Sequence, residues 1–167
     1  MLGSTFGVGI LRCLAGTAGT VTGTTNGVFM GLLTSAPIMT VNASNIVTGV
    51  EYSVFEPTIG SSGYAREIIG HPNAGIAPAF DSTVYYNQAS SFYYISNVAQ
   101  IKFNKASDVW TANSSTLLTH FGLFTASSGG TLLAWGELTS AITVSANQAA
   151  NVDVGSAILK LYAVMPN

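Results

Sequence analysis

The residues able to do chemistry are few and scattered. His71 falls in the punctuated run His71-Pro72-Asn73-Ala74-Gly75-Ile76-Ala77-Pro78 and His120 in a strand-like segment, and neither has a partner at the spacing of a metal-binding H-E-x-x-H helix. Cys13 is the single cysteine, which excludes an intrachain disulfide or a zinc pair and reads as a small core residue. None of the serines sits in a G-x-S-x-G elbow, and Gly60-Ser61-Ser62-Gly63 has the wrong spacing for one. Gly7-Val8-Gly9 opens like a dinucleotide fingerprint, but Arg12 stands where the third glycine is required. Glu51, Glu56, Glu67 and Asp81 lie in or near long loops, where two of them could meet as a glycosidase acid and base. The plainer reading makes them solvated loop charges. No catalytic, cofactor-binding or metal-ligating residue is assigned, and no cofactor is expected.

Tyr85, Tyr86, Tyr93 and Tyr94 form the one cluster with binding potential. Tyrosine offers apolar area with a polar tip at low entropy cost, so the four suit a protein interface or a stack against sugars. They equally suit the filling of a sheet core.

Composition narrows the classes further. The chain has 167 residues, of which 7% are charged and 48% hydrophobic, with Lys+Arg 5 against Asp+Glu 7 and a net charge of −2. An ordinary soluble domain carries roughly 25% charged residues. Eighteen Ser and eighteen Thr supply the polar surface instead. With no basic field to gather phosphates, nucleic-acid binding is disfavoured. A surface so poor in charge fits a subunit largely covered by neighbours. The apolar N-terminus lacks the basic region of a secretory signal and is too short to span a bilayer, which needs about 20 apolar residues. A membrane partner is not expected.

The elements that would position these residues are mostly short strands. Phe6, Ile10, Cys13 and Leu14 recur at helical spacing, so a short N-terminal helix is expected over residues 1–16, followed by a polar Gly/Thr run. Val28 to Thr34 reads as a strand buried on both faces. Residues 38–63 form a long connection with a strand expected at 50–55. Further strands are expected at 64–69, 83–86, 92–95, 98–103, 117–125, 131–138, 141–144, 151–154 and 157–164. Gly129 and Gly130 supply the turn of a hairpin. About nine or ten short strands at this spacing imply a single all-β domain, an antiparallel β-sandwich of jelly-roll-like type over 28–164.

The segment Thr119-His120-Phe121-Gly122-Leu123-Phe124-Thr125-Ala126, followed by Gly129-Gly130-Thr131-Leu132-Leu133-Ala134-Trp135-Gly136, resembles a family of tailed-bacteriophage virion proteins described as tail-fibre-like or head-fibre (capsid decoration) proteins. Leu11 to Ala18 is similar to that family's N-terminal helix, Val28 to Pro37 to its first strand, Gly63-Tyr64-Ala65-Arg66 to its G-Y-A-R element, and Asp108-Val109-Trp110 to its D-W turn with an inserted Val. The resemblance implies a non-enzymatic structural protein of the virion that forms a homo-oligomer, a trimer by preference, and docks on major capsid or tail proteins. A host-surface glycan is the alternative partner. Phe121, Phe124 and Trp135 are expected as core anchors by their size. Arg66 is expected to pair with a carboxylate.

Overall fold

The computed structural model describes residues 28–43, 47–70, 80–81 and 83–162. The helix expected over 1–16, with Cys13, lies outside them, as does His71. The described residues form strands β1 (Val28–Leu33), β2 (Ile38–Val41), β3 (Val47–Glu51), β4 (Glu67–Gly70), β5 (Tyr85–Asn87) and β6 (Phe92–Ser96). They continue with β7 (Ile101–Lys105), β8 (Leu118–Phe124), β9 (Leu132–Ile142), β10 (Ala149–Val152) and β11 (Ile158–Tyr162). The fold is all-β, and every strand pairing is antiparallel. Among the described residues no helix is long and apolar enough to cross a membrane.

The strands divide into a four-stranded sheet of order β4-β1-β8-β9, a three-stranded sheet β11-β6-β5, and the pairs β10-β7 and β2-β3. One apolar core joins the first three. Met30, Leu32, Phe121 and Leu123 enter it from the four-stranded sheet, Ile95 and Leu159 from β6 and β11, and Ile101, Phe103, Ala150 and Val152 from β7 and β10. Alternation explains the outer contributors, since Ile101 and Phe103 are buried while Lys102 and Asn104 are exposed. β1 is buried on both faces because Val28, Met30 and Leu32 meet this core while Leu33 is covered on the other side.

Several boundaries differ from the sequence expectation. The 38–63 connection is partly regular, since β2 and β3 pair as a hairpin and the strand expected at 50–55 lies at Val47–Glu51. Residues 52–56 then turn back, with the Phe55 amide donating to the Tyr52 carbonyl and the Thr34 amide to the Phe55 carbonyl, each at 2.9 Å. β4 starts only at Glu67, because the Tyr64 amide and carbonyl are taken up in the preceding turn by the Ser61 carbonyl and the Gly60 amide. The two strands expected at 131–138 and 141–144 are one continuous β9. The β8–β9 turn is closed by Gly129 and Gly130 at φ 58° and 71°, a backbone region that favours glycine.

Phe121 and Phe124 are fully buried, on opposite sides of the four-stranded sheet. Trp135 corrects the expectation that it anchors the core. It is 36% exposed, because the core side of β9 is taken by Gly136 and Leu138, one residue out of phase. The buried tryptophan is Trp110, at 0% exposure in the segment after β7, where its indole N–H donates to the Ser62 carbonyl at 2.9 Å and its ring meets Tyr64 edge-on at 5.0 Å.

Candidate protein interface

The carboxylates expected as solvated charges divide into different roles. Glu56, in the connection after β3, is buried and accepts from Arg66 Nε at 2.8 Å and Nη2 at 2.7 Å. Tyr64 donates its hydroxyl to the same carboxylate at 2.9 Å and accepts the Leu32 amide at 2.9 Å. Space for this cluster exists because residue 31 is glycine, where an added Cβ would stand 2.5 Å from Glu56 Oε1. Arg66 then donates from Nη1 to the Ala126 and Gly129 carbonyls at 3.0 and 2.7 Å, while its guanidinium lies 3.4 Å over the Phe124 ring. The arrangement fixes the β8–β9 turn and engages both Glu56 oxygens in contacts within the fold. Arg66 thus pairs with a carboxylate as expected, and Glu56 is that carboxylate.

The other chemistry-bearing groups are also held locally. Asp81 accepts from the Thr83 amide at 2.8 Å and from the Tyr85 hydroxyl at 2.9 Å. Partial burial pushes the Glu67 carboxyl up. His120 has Nδ1 2.8 Å from Thr119 Oγ1, and its pKa is lowered by burial against the opposing pull of Glu137, its cross-strand neighbour. Among the described residues no group of three or more His, Cys, Asp or Glu is placed to hold a metal ion.

The four tyrosines form two cross-strand pairs on β5 and β6. Tyr85 faces Tyr94 with ring centroids 5.4 Å apart, and Tyr86 faces Tyr93 at 4.9 Å. Tyr93 packs against the core, whereas Tyr85 and Tyr86 are exposed. Of the cluster, Tyr93 serves the core and Tyr85 and Tyr86 face outward. The hydrogen bond to Asp81 and its charge push the Tyr85 hydroxyl pKa up.

A second surface is formed where two sheets meet. β9 ends the four-stranded sheet and β11 ends the three-stranded one. The two touch at the Leu138–Ala157 bridge and through the Thr139 amide, which donates to the Ser156 carbonyl at 3.1 Å. Beside this contact lies a groove of about 570 Å³, walled by Leu133, Trp135 and Glu137 on one side and Ile158 and Lys160 on the other, with Met39 and Val50 of the β2–β3 hairpin at its margin. Ile38 and Met39 are each 52% exposed. Chain separation hides this surface from a sequence reading, since the hairpin, β9 and β11 come from three distant segments.

No curated protein matches the chain. A family model described as Podophage GP4 fiber I protein gp80 matches residues 12–160, nearly the full length. The chain therefore belongs to this family of phage fibre structural proteins, which makes it a virion component.

Proposed function

We propose that the protein is a non-enzymatic fibre subunit that assembles with copies of itself, as a trimer around a cyclic axis, and docks on capsid or tail proteins of the particle. The observation that carries this reading is a chain with 7% charged residues that leaves Met39, Val50 and Trp135 lining one open groove. Soluble monomers rarely leave such groups unscreened, and mixed charge is what ordinarily keeps them apart. The non-enzymatic reading draws support from Glu56, Asp81 and His120, each engaged in local contacts. Tagging the protein in intact particles and imaging them tests the location. Density on the head makes it a capsid decoration or head fibre, and density on the tail makes it a tail-fibre component. Absence from purified particles would refute the proposal.

A second reading is supported by one specific observation, the exposed Tyr85 and Tyr86 beside their stacked partners. In it the subunit is an adhesin for host-surface glycans. Glycan-array binding that is lost in a Tyr85→Ala, Tyr86→Ala variant favours that reading over a purely structural role.

A further inference from the structure

We infer that the groove between β9 and β11 is the face on which a second copy of this chain seats, with Glu137 of each copy meeting Lys160 of its neighbour. The inference rests on the self-assembly proposed above and names the surface that performs it. The walls of the groove are Leu133, Trp135 and Ile158, with Met39 and Val50 at the margin. The apolar part of this lining gains by excluding water. β9 and β11 are terminal strands of their sheets that meet at the Leu138–Ala157 bridge, and the groove opens beside that contact.

Charge complementarity identifies the occupant. The groove carries one acid, Glu137 on β9, and one base, Lys160 on β11, both exposed. Neither is committed to an ion pair within the chain, since the salt bridge among the described residues joins Arg66 to Glu56. Lys160 instead rests its ammonium 5.4 Å over the Phe92 ring, and Glu137 lies across the ladder from His120. A partner of one dominant charge would satisfy one of the two groups and oppose the other. A second copy satisfies both, because in a cyclic arrangement each interface brings the acid-bearing wall of one copy to the base-bearing wall of the next. The apolar lining between the charges then supplies the attraction, and the charges fix the register.

The test is charge exchange in the full chain. Light scattering across a concentration series is compared for wild type, Glu137→Lys, Lys160→Glu and the double exchange. Each single reversal places like charges together and is expected to raise the concentration at which the oligomer dissociates at least tenfold, while the double exchange returns it to the wild-type value. Because both side chains are exposed, thermal melts of all four should differ by no more than the small loss of the Lys160–Phe92 contact at concentrations where they are monomeric, which separates loss of contact from loss of fold. Trp135→Ser provides an independent variant and should weaken the oligomer in the same way. Single reversals that associate like the wild type, or a double exchange no better than either single, overturn the assignment of this face while self-assembly stands. A wild-type chain that stays monomeric at every concentration, whether or not it binds an oligosaccharide, overturns both.

Discussion

Arg66 and Glu56 form a two-pronged ion pair, Nε to Oε1 at 2.8 Å and Nη2 to Oε2 at 2.7 Å, with both side chains at or below 5% exposure. Ten residues apart in the chain, they join the loop after β3 to the segment entering β4, and through the Ala126 and Gly129 carbonyls Arg66 also holds the β8–β9 turn. Removing one partner strands a buried charge. Arg66→Met is therefore expected to cost about 3 to 5 kcal/mol, read as a lower urea midpoint. The double variant Glu56→Leu, Arg66→Met should cost less than the two singles added together, since it strands neither charge. An unchanged midpoint in Arg66→Met would contradict this account of the turn.

The two tryptophans should respond differently to truncation. Trp110→Ala empties a fully buried site and removes the hydrogen bond to Ser62, with an expected loss of about 3 to 5 kcal/mol. Trp135→Ala should cost the dilute, monomeric chain clearly less than Trp110→Ala, because the Trp135 side chain is already 36% exposed. Denaturant unfolding of both variants decides the assignment, and equal losses would refute it.

How these residues escaped or yielded to a sequence reading has a physical explanation. The β8–β9 hairpin was legible because two glycines interrupt two apolar runs, and the pairing of Arg66 with a carboxylate followed from the cost of an unpaired charge. Leu132-Leu133-Ala134-Trp135 is apolar at consecutive positions, so a period of two does not tell which side faces the core, and size alone favours the largest residue. Trp110 follows β7 outside any strand and carries no periodic signal at all. The identity of Glu56 as Arg66's partner, and the meeting of β9, β11 and the β2–β3 hairpin, depend on contacts between segments that only the tertiary fold brings together.

Tyr64 makes the fold sensitive to alkali. Burial first, and the neighbouring Glu56 charge second, raise its pKa well above the ordinary value of 10.0. The folded chain therefore holds this proton more tightly than the unfolded chain does. The associated stability is fully present below pH 10 and is lost as pH rises through the folded value. Tyr64→Phe should start less stable at neutral pH, because the Leu32 amide loses its acceptor, yet lose less than the wild type above pH 10. Melting curves across that range provide the check, and parallel declines in the two proteins would show that another group governs the loss.

The central claim is that this phage fibre chain works by associating with itself, and the mass of the purified protein in solution tests it most directly. Size-exclusion chromatography with light scattering should give three times the 17.2 kDa chain mass at micromolar concentration. A stable species of a single chain mass, at that concentration and above, would contradict the account.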